Sequence, residues 1–327
     1  MVIQMPRRIR QNHVFGPVRS RRLGYSLGVD LVPLKTCTFD CIYCQLGRTT
    51  HKTLGRKEYI PTGAVLEELE QTLGRIPRPD YITISGSGEP TLHSGIGDVI
   101  AGIRAFTSLP VAVLTNGSLF YDETVRAACC LADVVLPSLD AGDEETFATV
   151  NRPAPGLTFQ TQLEGLSAFR RDFEGQIWLE VFLVRSVTDN DTAVQRIACA
   201  VKSVRPDKVH LNTAVRPTAE EYAQPVPVRD LKHFSGFFEP RGEYIFSPPI
   251  KNNGTGLQMG QLLEMLKRRP CTLEDMARVL NMPPAGILKC LEGMIAGGVL
   301  VTVRRGTDVY YAAAPGLPPD TDQAFTM

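Results

Sequence analysis

The chain carries no excess of charge of either sign: thirty-five Lys and Arg balance thirty-five Asp and Glu in 327 residues. A protein that coats nucleic acid or an anionic membrane nonspecifically has such an excess. That class is therefore excluded for the chain as a whole, and only a local basic patch stays open. There is also no run of eighteen apolar residues, so no membrane-spanning helix is expected. The opening stretch "MVIQMPRRIRQNHVFG" has charge but no apolar segment, so no secretory signal is expected either. The expected location is the cytoplasm, where thiols stay reduced and clustered cysteines bind metal or do chemistry more often than they form disulfides.

One cysteine too few is the most informative shortage. "KTCTFDCIYCQ", residues 35 to 45, places Cys37, Cys41 and Cys44 at C-x3-C-x2-C. A structural zinc site wants four ligands, and the histidine just downstream is His51. Dithiol catalysis needs only the C-x2-C pair and leaves Cys37 without a role. Inert buried cysteines are a third reading. A fourth is a cubane iron–sulfur cluster held by thiolates. Three ligands from one loop leave one iron without a protein ligand, as a catalytic zinc site keeps one position open.

What is present is a regular alternation. Short apolar strand candidates at 25–33, 81–85, 111–115, 133–140, 177–184 and 208–215 are interleaved with amphipathic stretches near 63–75, 95–106, 121–131, 143–150, 159–172 and 190–203. Six such units predict a parallel sheet with right-handed crossovers. Periodicity does not choose between an open doubly wound sheet and a partial barrel. Two prolines, two asparagines and two glycines in "SPPIKNNGTG" predict a linker over 247–257 after a first domain of 1–246. Three helical stretches and a hairpin pattern over 258–314 resemble a winged helix-turn-helix domain, with Thr272 as a helix cap. The last segment, 315–327, is expected to be disordered.

C-x3-C-x2-C with an aromatic residue, Tyr43, just before the last cysteine resembles the signature of the radical S-adenosylmethionine (SAM) superfamily. The resemblance implies a partial (β/α)6 TIM-like barrel. It implies Cys37, Cys41 and Cys44 as ligands of a [4Fe-4S] cluster and SAM on the open iron. It also implies reductive cleavage to a 5′-deoxyadenosyl radical that takes hydrogen from a substrate. A one-electron reductant of flavodoxin or ferredoxin type is implied as a partner. The stretch from "FGPVRSRRLG" through the cysteines to "SGSGEPTL" looks like the group related to the tRNA wyosine synthetases, which makes an RNA base or a peptide a candidate substrate. The remaining cysteines, Cys129, Cys130, Cys199, Cys271 and Cys290, show no cluster spacing, so a second cluster of the wyosine type is not expected.

In a parallel α/β domain, ligands sit at the carboxyl ends of the strands. Gly86, Ser87, Gly88 and Glu89 follow the second strand and resemble the superfamily's glycine-rich motif. The glycines would allow close backbone approach, and the polar pair would offer acceptors to SAM. Thr115 and Asn116 follow the third strand. Ser138 and Asp140 follow the fourth and could hold the SAM ribose or carboxylate, although Asp140 could instead cap the next helix. Arg152 could pair a carboxylate, and Tyr43 would pack by the cluster or adenine. Glu180, a lone carboxylate in "IWLEVFLV", is costly unless paired. It either faces a ligand-holding interior or points outward to Arg170 or Arg171. Asn190, Asp191, His210, Asn212 and Arg216, near the last strand ends, are further candidates, and His210 could equally be a core histidine. A rival reading makes the chain a cluster- or SAM-sensing regulator that binds DNA through the helix near 283–296, with Lys289, and through the wing arginines Arg304 and Arg305.

Overall fold

The computed structural model describes residues 13–244 except 21, and 259–314 except 281–286, 289–290, 292–293, 296 and 307. The linker predicted at 247–257, the tail 315–327, Lys289 and Cys290 lie outside the described residues, as do Arg21 and much of 283–296.

The described residues open with a β-hairpin, β1 (Val14–Ser20) against β2 (Gly24–Val29), and a small pair, β3 (Thr36–Cys37) with β4 (His51–Lys52), brackets the cysteine loop. The alternation follows: α1 (Thr62–Leu73), β5 (Tyr81–Ile84), α2 (Ile96–Phe106), β6 (Val111–Thr115), α3 (Glu123–Cys129), β7 (Val134–Pro137), α4 (Glu144–Val150) and α5 (Phe159–Asp172). It continues through β8 (Gln176–Leu183), α6 (Asp191–Val204), β9 (Lys208–Thr213), α7 (Val228–Phe234) and β10 (Glu243–Tyr244).

Strand order in the sheet is β1-β2-β5-β6-β7-β8-β9-β10, with every pair parallel except β1–β2. Each unit therefore adds its strand on the same side of the last. A doubly wound sheet reverses its order midway; this one does not, and the result is the α/β partial barrel. Two edges were not foreseen. β1 carries Gly16 and Pro17 and a register break between Phe15 and Val18, features confined to edge strands and bulges. β10 is two residues long, too short for any periodicity.

Side chains alternate between two environments. Ile82, Ile84, Val111, Val113, Leu179, Val181 and Leu183 pack outward under helix residues such as Val65, Leu69, Val99, Leu166, Phe169 and Val201 in the main core. The other face is sealed at its lower end by a small plug of Leu23, Ala112, Val134, Leu136 and Trp178. Above the plug the interior turns polar: Ser26 bonds Thr83, and Arg22 pairs with Glu180. A cavity of about 780 Å3 opens there toward the carboxyl ends of the strands.

The remaining elements are α8 (Met259–Arg268), β11 (Cys271–Thr272), α9 (Leu273–Leu280), β12 (Leu300–Arg305) and β13 (Asp308–Ala313), with sheet order β11-β13-β12. They enclose a separate core built on Leu262, Leu266, Met276, Ile287, Leu291 and Met294. The Thr272 hydroxyl accepts from Asp275 N at 3.0 Å, the expected cap. This lobe rests on the barrel: the Arg268 guanidinium stands 4.0 Å from the Phe15 ring centroid and pairs with Asp30 at 2.8 Å, and Tyr310 donates to Val215 O at 2.6 Å. No described helix is long and apolar enough to cross a membrane.

Candidate active site

The three thiols stand on the loop that leaves β3, and Cys37 and Cys41 line the cavity. The glycine turn after β5 holds this loop down. Gly86 has φ of +144°, and a Cβ there would lie 2.6 Å from the Asp30 carboxyl carbon; a Cβ on Gly88 would fall 1.8 Å from Thr36 O. Glu89 N donates to that same Thr36 oxygen at 3.0 Å, and Lys35 N donates to Ser87 O at 2.7 Å. Close approach of backbone is therefore required, as the glycines suggested, but it is approach to the cysteine loop.

The polar pair of the turn is also engaged within the chain. Ser87 donates its amide and hydroxyl to Asp30. Glu89 is buried and accepts from Thr91 N, Thr91 Oγ1, Thr115 Oγ1 and Asn116 N, at 2.5 to 3.0 Å. Burial lifts its carboxyl above the ordinary range and these donors oppose the rise. Ser87 and Glu89, expected to offer acceptors to SAM, thus also tie strand ends together, and Glu89 lines the cavity.

Two side-chain amides reach the sulfurs. Asn116 Nδ2 donates to Thr38 Oγ1 at 2.7 Å and lies 3.6 Å from Cys37 Sγ; Asn151 Nδ2 lies 3.5 Å from Cys41 Sγ. Asn151 is not among the residues expected from the sequence, where its neighbour Arg152 carries the visible charge. Asp140 accepts from Tyr43 OH, from Asn151 Nδ2 at 2.9 Å and from Phe182 N at 2.8 Å. Burial pushes its carboxyl up to about 6. It does not cap the next helix, which Asp143 does; it pins Tyr43, whose ring stacks on Phe182 at 3.8 Å.

Other expected residues lie elsewhere. Arg152 is spent on Asp40 O at 2.6 Å and Glu220 at 2.7 Å and braces the loop from outside the cavity. Asn190 is the exposed cap of α6, accepting from Ala193 N at 2.9 Å, and Asp191 pairs with His233 at 2.9 Å. Both leave the site because the chain after β8 runs outward before the helix begins. Asn212 is buried and accepts from Thr213 N. Glu180 does face the interior, where its partner is Arg22; Arg170 pairs with Asp207 instead. His210, beside Glu180 in the register, is buried with Nδ1 unbonded, and burial holds it down at about 4. Thr115, Asn116, Ser138 and Arg216 line the cavity.

The donor set fits an anionic iron–sulfur group. Burial raises all three thiols, Cys37 to about 12, so a bound metal group must draw off their protons. Beside them the Lys35 amine is buried with no hydrogen-bond partner, a cation that an anionic cluster would satisfy. His51 is exposed on β4. Among the described residues, no three His, Cys, Asp or Glu side chains converge on a single-ion site.

Three thiols from one loop, set at the carboxyl rim of a one-directional parallel barrel, define a class. Residues 31–198 match the Radical SAM superfamily, and the chain belongs to it; it is an enzyme that uses a [4Fe-4S] cluster and SAM. Within that class it is 35% identical over 313 residues to a UPF0026 protein of Methanocaldococcus jannaschii, covering 91% of this chain and 94% of the relative. A UPF0026 protein of Helicobacter pylori is 33% identical over 306 residues, covering 92% and 97%. It is also 35% identical over 296 residues to a Brachyspira hyodysenteriae protein named GTPase Obg, covering 89% of this chain but only 44% of that longer one. Among solved structures, TYW1 with a lysine-pyruvate adduct matches at TM-score 0.51 and 14% identity, covering 70% of this chain and 76% of that one. A radical SAM methyltransferase from Sphaerobacter thermophilus matches at 0.52 and 15%, covering 67% and 66%. At these identities the likeness is one of fold.

Proposed function

We propose that Cys37, Cys41 and Cys44 hold the cluster, that SAM binds across the β5, β6 and β7 strand ends, and that hydrogen is removed from a substrate seated in the same cavity. When bound, the cluster and SAM together supply the 5′-deoxyadenosyl radical. The chain's own residues do the rest. Asn116 and Asn151 donate to the thiolates. Tyr43, fixed between Phe182 and Asp140, walls the loop. Ser138 and Thr115 offer polar contacts at the rim, and the Leu23–Trp178 plug keeps water from entering from below. The electron comes from an external reductant, for which a flavodoxin or ferredoxin suits. Residues 1–246 form the catalytic domain and 258–314 a winged-helix-like lobe over it. An RNA base or a peptide remains the substrate class favoured by the motif resemblance.

The observation that carries this reading is the placement of Cys37 and Cys41 on the wall of the cavity into which the successive strand ends open. The DNA-binding alternative gains nothing from the wing. Arg305 donates to Arg216 O and to Ala223 O at 2.7 Å, so one of its two arginines is turned into the barrel.

The test is anaerobic reconstitution followed by reduction with dithionite in the presence of SAM. 5′-Deoxyadenosine and methionine are expected in equal amounts. Cys41→Ala is expected to lose most of its iron and all turnover. A fully loaded protein that binds SAM but never yields 5′-deoxyadenosine would overturn the proposal and return the regulator.

A further inference from the structure

The cavity runs past the thiol rim to an end covered by the C-terminal lobe, and that end is lined by guanidinium groups. Arg268 is already paired there, with Asp30. Arg216 and Arg269 are not comparably served. Arg216 follows β9 and is 9% exposed. Its Nη1 reaches Gln45 Oε1 at 3.3 Å, its Nη2 lies 3.5 Å from Asp275, and its Nε is buried with no hydrogen-bond partner. Arg269, just beyond α8, lines the same cavity. The carboxylate near it is Asp275, which Arg216 also approaches. Its guanidinium is pulled below its ordinary range by burial and then by the charge of Arg216.

Two like charges at one end of a cavity, with Asp275 as the carboxylate near both, are expensive unless a further counter-charge arrives. A guanidinium presents a planar fork that matches carboxylate and phosphate oxygens two at a time. We propose that this end of the cavity is an anion subsite, in which Arg216 from the barrel and Arg269 from the C-terminal lobe clamp a phosphate or carboxylate group of the substrate. The inference rests on the reading that the substrate occupies this cavity. Gln45, next to Cys44, ties Arg216 to the cysteine loop and so sets the distance between the anionic group and the reacting end. The two halves of the clamp come from different lobes, so an anionic ligand bridges them.

The experiment uses the full reconstituted chain with two probes, inorganic pyrophosphate and citrate, followed by calorimetry and thermal melting. At least one is expected to bind and raise Tm, and whichever binds more tightly identifies a phosphate or a carboxylate source. Arg216→Gln and Arg269→Gln should each weaken that binding about tenfold or more, and Arg216→Lys, which keeps the charge without the fork, should fall between. SAM affinity and substrate-free SAM cleavage should stay within about twofold of wild type. The proposal is overturned if neither probe binds the wild type, or if binding survives in folded variants. It is equally overturned if SAM affinity falls in step with probe binding, because the guanidiniums then serve the carboxylate of SAM. Probe binding that persists in a protein unable to cleave SAM would sink the functional reading and leave the subsite standing.

Discussion

At the scale of single residues, the site depends on donors aimed at sulfur. Hydrogen bonds to cluster sulfurs help set the reduction potential. Removing the Asn151 donor leaves a more electron-rich thiolate that is harder to reduce. Asn151→Leu is expected to lower the cluster midpoint potential by several tens of millivolts, the one-electron equivalent of roughly 1 kcal/mol. Spectroelectrochemical titration would show it, and an unmoved potential would refute the assignment. His210 makes a second prediction. Its folded value of about 4 lies below the ordinary 6.5. Above pH 6.5 neither state binds the proton and the full stability is present. Between 6.5 and 4 the unfolded chain binds a proton that the folded chain refuses, so stability falls as pH falls. The loss levels off below 4, at roughly 3 kcal/mol. His210→Phe should flatten the dependence of the urea midpoint over that window.

At the scale of elements, the six core strands and six of the helices were legible because each has a periodicity long enough to read. β6 at Val111–Thr115 coincides with its predicted span, and α5 at Phe159–Asp172 does too. β1, β10 and α7 were not legible: β1 is broken by Gly16 and Pro17, β10 has two residues, and α7 follows Pro225 and Pro227 with no strand pattern after it to mark a further unit. The glycine turn was found but its role was only half read. "SGSGE" states that backbone comes close, and nothing in the motif says that the close partner is Thr36 on β3. Likewise Asp140 and Glu89 were readable as polar residues at strand ends, while their burial and their partners, Tyr43 and Asn116, are set by the fold. Gly88→Ala would place its Cβ against Thr36 O. The expected result is a folded apo-protein with far-ultraviolet dichroism unchanged but iron content reduced by half or more. Full iron loading would show that β3 can yield.

At the scale of the whole molecule, the lobes are joined through charge. Asp30 is 5% exposed and accepts from Ser87 N, Ser87 Oγ and Arg268. It links the glycine turn to α8. Taking one member out of a buried charge pair costs about 3–5 kcal/mol. Asp30→Asn should therefore lower Tm of the apo-protein by on the order of 10 °C. The double variant Asp30→Asn, Arg268→Met, which takes both buried charges away while keeping contact with Phe15, should cost less. Equal losses in the two variants would show that the pair itself is not what couples the lobes. The motif and alternation made the barrel and its cofactor readable from residues 25 to 215. The contact between lobes was not readable, because Asp30 and Arg268 are separated by most of the chain.

That separation has a consequence for the order of events during synthesis. The cysteine loop, the glycine turn and every strand end around them are complete once β9 has emerged. The residues that roof the cavity, Met265, Arg268, Arg269 and Val279, are made afterwards. A barrel that folds as it leaves the ribosome therefore displays Cys37 and Cys41 in an open bowl before α8 and α9 exist. Cluster delivery has a period in which the site is built and still uncovered, and the emergence of α8 and α9 ends that period.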